Sequence, residues 1–314
     1  MLKLEDNFPL KNITTLQIGG PAKKFVAVKT QEDLIEAIAY AKNNQIPYLI
    51  IGGSSNLLIA DEGVNGLVIK NEISGIESIS HLGGVTLKVK SGTILQDVVD
   101  YAINHNLAGL EKLTKIPGTV GGAVYGNAGA YGQTISDHIT RVVILSEAKN
   151  LKTLTKSKCK FGYRNSIFKK NKYPIIEAAF QLETGNPENL QMAAKAVAWK
   201  RFVKYPPGLK CPGSFFKNLV AADIPEEILK NIPPEKIVYG KLPAGALLEE
   251  VGAKGQSLNG IAISDRHANL FINQGTGTAQ AFYNLAKTYA QKVKEKFGIT
   301  LEPEVQLINL PPFS

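Results

Sequence analysis

The sequence predicts an α+β protein in two parts, the first carrying glycine-rich loops and the second lacking them. Three observations predict it. A strand, a helix and a second strand follow one another within residues 24–51, and G-G-S-S-N (52–56) comes directly after them. A longer stretch, T-K-I-P-G-T-V-G-G-A-V-Y-G-N-A-G-A-Y-G (114–132), holds glycines at 118, 121, 122, 126, 129 and 132. The last hundred residues are less regular. A length of 314 residues suits about two domains and is ample for a core.

Taken in order, I-G-G-P (18–21) reads as a turn and K-F-V-A-V (24–28) as a strand. T-Q-E-D (30–33) starts a helix, with Thr30 able to cap and Asp33 in the first turn. Leu34, Ile35, Ile38 and Ala41 recur at helical spacing, and N-N-Q-I-P (43–47) stops the run. P-Y-L-I-I (47–51) is a buried strand. Residues 67–70 and 85–90 are strands, the latter alternating apolar and charged. S-G-T (91–93) caps a helix with Ile94, Val98, Tyr101 and Ala102 as its apolar positions. Residues 139–145 and 174–182 are strands, and Asn186-Pro187 opens a helix to about Val203. A strand at 261–263, a helix over about 278–297 and a strand at 304–308 complete the pattern.

Each internal glycine costs a helix about 1 kcal/mol relative to alanine, and glycine gives a strand no side chain to pack. The 114–132 stretch therefore predicts neither. Glycine does let backbone approach another group closely and adopt positive φ. Two readings fit: a run of turns between layers, or a cradle for a large flat or phosphorylated ligand. G-G-S-S-N is likewise either a polar turn or a nest of donors for a pyrophosphate. It matches neither G-x-G-x-x-G nor the P-loop pattern.

The net charge of +9 could indicate nucleic acid or anionic small molecules. The basic residues are scattered, however, and only Arg141, Arg164, Arg201 and Arg266 are arginines. This reads as a lysine-rich solvated surface suited to anionic substrates, not a nucleic-acid groove. Cys159 and Cys211 make no disulfide framework. His81, His105, His138 and His267 show no metal-ligand spacing, so no metal is expected. The N-terminus has no signal-peptide core, and no apolar run approaches the roughly 18 residues of a membrane span. A cytoplasmic protein is expected. The lack of an amphipathic seam favours a monomer.

Five motifs occur in order: I-G-G-S-S-N-L-L (51–58), I-P-G-T-V-G-G-A-V-Y-G-N-A-G-A-Y-G (116–132), Y-R-N-S-I-F (163–168), G-S-F-F-K-N (213–218) and L-E-P-E-V (301–305). Together they resemble the UDP-N-acetylenolpyruvoylglucosamine reductase family of peptidoglycan precursor synthesis, over about residues 13–308. The resemblance implies a two-subdomain FAD-binding fold of the vanillyl-alcohol-oxidase type and a smaller α+β substrate-binding domain. The boundaries expected are 1–70 and 71–203 for the FAD subdomains and 204–314 for the substrate domain, whose last strand carries Glu304. It also implies that NADPH reduces FAD. The reduced flavin then gives hydride to C3 of the enolpyruvyl ether, and an acid protonates C2.

By resemblance, Ser214 is the proton donor, Arg164 binds the carboxylate and Glu304 stabilises its enol form. Read from the residues alone, Ser214 is a turn residue, Arg164 a surface ion-pair partner, and Glu304 part of a solvated face with Glu302 and Gln306. The glycine loops would hold FAD through Gly52, Gly53, Ser54, Ser55, Asn56, Pro117, Gly118, Gly121, Gly122, Gly126, Asn127 and Ala128. Neither loop contains histidine or cysteine, so FAD is expected to be non-covalent. Tyr163, Lys204, Lys217 and Asn218 match positions near the UDP-sugar. The short run from Phe168 to the 174–182 strand leaves little room for a tyrosine-loop insertion that some members carry, so the chain resembles the shorter subclass. The alternatives are an oxidase of the same fold and a nucleotide-sugar binder with a degenerate site. Both fit the presence of Arg164, Ser214 and Glu304 less well.

Overall fold

Thr30 caps the first helix, Gln31–Asn43, through a capping box with Asp33, worth about 1 kcal/mol. In the computed structural model, residues 2–146, 150–230 and 232–313 are described. They form two compact units. One comprises Met1–Asp6, Lys24–Gly53 and Asn65–Tyr205; the other comprises Asn7–Lys23, Ser54–Val64 and Pro206–Ser314.

Of the two larger sheets, the first is built from strands that run past the first unit's bounds at Asp6, Lys24 and Asn65, and the second lies wholly within that unit. In the first, strands run in the order Glu5–Pro9, Pro21–Val28, Val64–Asn71 and Tyr48–Ile51. The last two are parallel. Helix Gln31–Asn43 buries Leu34, Ala37, Ile38 and Ala41 in one cluster with Val26, Val28, Leu67 and Ile69. Leu34, Ile38 and Ala41 are positions its 3.6-residue period marks; Ala37 joins them, and Ile35, expected with them, is only partly buried.

The second sheet runs Leu151–Thr155, Ile139–Leu145, Ile175–Thr184, Gly84–Lys90 and Ile76–His81, antiparallel throughout. Helix Leu95–Asn104 packs in its cluster through Leu95, Val98, Val99 and Ala102. Of the expected face, Val98 and Ala102 are buried and Tyr101 is partly buried against the cluster, but Ile94 is the N-cap residue and lies 46% exposed, its place taken by Leu95. Thr93 does not cap the helix; its hydroxyl bonds Gly75.

The glycine stretch departs from expectation. Val120–Gly126 is a helix, with Thr119 as N-cap accepting from Gly122 N. Tertiary hydrogen bonds offset its poor propensity: Val120 N donates to Thr93 O at 2.9 Å and Gly121 N to Ser91 O at 2.7 Å. A Cβ on Gly121 would meet Ser91 at 2.9 Å, so close packing demands glycine there.

The second unit is built on helix Ala279–Phe297, which the sequence pattern anticipates within a residue. Thr278 caps it, both carboxylate oxygens of Asp61 accept from Ala279 N and Gln280 N, and Gly298 ends it at φ 71°. Its Phe282 is fully buried in one cluster with Phe215, Phe216 and Phe271. Phe215 lies 4.7 Å from Phe216 and 5.1 Å from Phe282, edge to face. Each such side chain contributes about 1.5–3 kcal/mol by burial. A small sheet, Ser257–Leu258, Ile261–Ile263 and Phe271–Asn273, lies in this unit. The last strand, Gln306–Ile308, runs parallel to Leu57–Ile59. It begins two residues beyond Glu304, so the alternating face inferred for Glu302, Glu304 and Gln306 does not exist. No helix among the described residues is long and apolar enough to cross a membrane.

Candidate active site

In the first unit, the two glycine loops meet backbone to backbone. A Cβ on Gly53 would stand 2.6 Å from Gly118 Cα, and one on Gly52 would stand 2.2 Å from Thr119 Oγ1. Gly118, which follows Pro117, takes φ 108°, a conformation open to glycine. These glycines serve loop contact. Gly122 and Gly126 differ, being one helical turn apart and on one face. A Cβ on Gly126 would meet nothing within 4 Å, and one on Gly122 only Thr119 Oγ1 at 3.7 Å. The 120–126 helix therefore presents a side-chain-free face.

Asn127 ends that helix in the left-handed region, φ 46°. Its Nδ2 donates to Gly162 O at 2.8 Å, which fastens the helix end to the Y-R-N-S motif. Gly162 and Asn165 exchange backbone hydrogen bonds of 3.0 and 3.1 Å around Tyr163-Arg164. Arg164, half-buried, takes φ 49° and donates Nη2 to Gly129 O at 2.8 Å. Lys169 Nζ holds the Arg164 carbonyl and Ser166 Oγ holds that of Tyr125. Ala128 N bonds Ala123 O at 2.8 Å. Lys204 ends helix Pro187–Lys204, its Nζ 5.2 Å from the Tyr205 ring centre.

In the second unit, Ser54 takes φ 50° and its carbonyl accepts from Thr15 N at 3.4 Å. Ser55 follows. Asn56 Nδ2 donates to Glu304 O at 3.1 Å, and Asn56 O accepts from Gln306 N at 3.0 Å. Glu304 N donates to Phe215 O at 2.7 Å. Ser214 and Glu304 thus lie one residue apart across a backbone hydrogen bond, both partly exposed. Lys217 Nζ pairs with Glu302 at 2.9 Å, and Asn218 Oδ1 accepts from Ala244 N at 3.3 Å. The structure places Ser214, Lys217, Asn218 and Glu304 together, and Tyr163 and Arg164 with the glycine stretch. Asn269, 1% exposed, holds the 215–216 backbone. Sequence reasoning missed it. Its one signal is an amide inside the apolar run A-N-L-F-I (268–272).

A face bare of side chains beside a loop held at left-handed and glycine-only φ values suits a flat, phosphorylated cofactor, so the residues present fit FAD. The family described as "FAD binding domain" matches residues 22–150. Fold and site define an FAD-binding oxidoreductase. Residues 205–308 match "UDP-N-acetylenolpyruvoylglucosamine reductase, C-terminal domain". A UDP-N-acetylenolpyruvoylglucosamine reductase of Solibacter usitatus is 36% identical over 98% of this chain and 97% of its own. Reductase 2 of Bacillus thuringiensis is 37% identical over 96% and 91%. The crystal structure of the Thermus caldophilus reductase superposes with a TM-score of 0.75 at 29% identity, covering 98% of this chain and 99% of that one. The chain belongs to the UDP-N-acetylenolpyruvoylglucosamine reductase family.

Proposed function

We propose that the protein reduces UDP-N-acetylenolpyruvoylglucosamine to UDP-N-acetylmuramate at the expense of NADPH, in peptidoglycan precursor synthesis. The observation that carries this reading is the Phe215 link, which sets a hydroxyl and a carboxylate on adjoining backbone. FAD, when bound, relays two electrons from NADPH to the vinyl group.

An enol ether accepts hydride poorly unless charge developing toward its carboxylate is stabilised. Arg164 engages that carboxylate, where its planar fork matches two oxygens. Glu304 stabilises the enol form of the same group. As hydride reaches C3, Ser214 delivers a proton to C2, which completes addition of H₂ across the double bond. Tyr163, Lys204, Lys217 and Asn218 bind the UDP-sugar. Gly52, Gly53, Ser54, Ser55, Asn56, Pro117, Gly118, Gly121, Gly122, Gly126, Asn127 and Ala128 hold FAD without a covalent bond. The expected division at residues 70 and 203 assigns these roles to two FAD subdomains and a substrate domain. We read the chain as a cytoplasmic monomer; a dimer mass in sedimentation would end the monomer reading.

Ser214→Ala tests the chemistry. NADPH should still bleach the flavin absorbance, while its return on adding the enolpyruvyl UDP-sugar should slow about 10²- to 10⁴-fold. Unchanged return would remove Ser214 from the reaction.

A further inference from the structure

We propose that Asn269 is a positioning residue for Ser214 and Glu304, its side-chain amide standing in for the peptide group of a neighbouring strand. The inference rests on the roles proposed above for those two residues.

Asn269 Oδ1 accepts from Phe216 N at 2.8 Å, and its Nδ2 donates to Phe216 O at 2.8 Å. Both ends of one side chain thus satisfy both polar groups of one residue. Its own carbonyl accepts from Phe215 N at 3.0 Å. Leu270, the next residue, forms a β-bridge with Ser214. Residues 214, 215 and 216 are therefore each tied to 269–270. On the other edge, Phe215 O accepts from Glu304 N, Phe216 bridges Pro303, and Lys217 N donates to Glu302 O at 2.9 Å. The segment carrying Ser214 lies between the Asn269 segment and the Glu304 segment.

Burial alone does not explain an amide here. Phe215, Phe216 and Phe271 are fully buried, and an aliphatic side chain would suit such surroundings. A buried amide is costly unless every polar group finds a partner, and these partners lie on the one segment that joins Ser214 to Glu304. Asn269 N–H is itself held by His267 Nδ1 at 3.2 Å, which fixes the residue supplying the clamp. Loss of the amide frees Phe216 to shift, and with it the hydroxyl two residues earlier. A displacement on the order of 1 Å costs about 10²-fold in rate.

The test compares four FAD-loaded variants with the parent: Asn269→Asp, Asn269→Leu, Ser214→Ala and the Ser214→Ala/Asn269→Asp double. Single-turnover absorbance follows bleaching by NADPH and return of colour on adding the enolpyruvyl UDP-sugar. Both Asn269 variants should bleach at the parental rate and recolour about 10- to 10²-fold more slowly. Because Asn269 acts through Ser214 and Glu304, the double variant should recolour faster than the product of the two single defects predicts. Parental recolouring in either folded Asn269 variant overturns the proposal, as do defects that multiply in the double. Failure of both to fold makes the amide purely structural and also overturns it. Parental recolouring in Ser214→Ala is a different result: the reading of Ser214 falls, and the positioning role falls with it.

Discussion

Arg164 donates from Nη2 to the carbonyl of Gly129 across 2.8 Å, which ties the Y-R-N-S turn to the glycine stretch. The arginine occupies the third position of that turn at φ 49°. That conformation costs a side-chain-bearing residue on the order of 1–2 kcal/mol. Glycine or asparagine would sit there more easily, so the strain is consistent with a residue kept for its guanidinium.

Arg164→Lys keeps the charge but loses the fork. Bleaching by NADPH should be retained, and recolouring by substrate should slow about 10²-fold, the order seen when one charge-stabilising donor is removed. Stopped-flow absorbance checks both halves.

The two kinds of glycine separate in their effects. Gly126→Ala adds a methyl that meets no protein atom and removes a poor helix former, worth up to about 1 kcal/mol. The apoprotein should melt no lower than the parent, yet bind FAD more weakly. Gly53→Ala drives a methyl to 2.6 Å from Gly118 Cα, so the loop contact itself must open and the apoprotein should melt lower. Calorimetry of the apoproteins and fluorescence titration with FAD distinguish the two.

Glu304 is held by its backbone, through Phe215 O and Asn56 Nδ2. Glu304→Gln leaves both bonds intact. The variant should stay within about 0.5 kcal/mol of the parent in stability, as a partly exposed substitution does, and should retain FAD. Only recolouring should slow, and loss of FAD on gel filtration would make the role structural instead.

Cys159 is fully buried, and burial pushes its thiol from an ordinary 9.0 to about 11. Between those values the unfolded chain releases a proton that the folded chain keeps. Stability is therefore unaffected below pH 9 and falls as pH rises from 9 to 11. Urea unfolding at pH 8, 9, 10 and 11 should show this fall, reduced in Cys159→Ala.

Much of the fold is legible in the sequence because local rules agree with burial. Thr30 and Asp33 cap where the apolar period begins, and Asn186 opens its helix by accepting from Asn189 N. The glycine helix is not legible, since it depends on Ser91 and Thr93, distant in sequence, to receive its backbone donors. Gly52 and Gly53 are legible as a sharp loop, but not as the surface another loop packs on. Glu304 misleads a pattern reading because a bend, not a strand, carries it. Asn269 leaves only a polar letter in an apolar run, and its partners lie more than fifty residues earlier.

The most direct measurement is the absorbance spectrum of the FAD-loaded protein under anaerobic conditions, first with NADPH and then with UDP-N-acetylenolpyruvoylglucosamine. The account predicts a flavin spectrum that bleaches with NADPH and returns only on adding the enolpyruvyl UDP-sugar. A protein that takes up no FAD, or one whose colour returns with oxygen but not with that substrate, would contradict it.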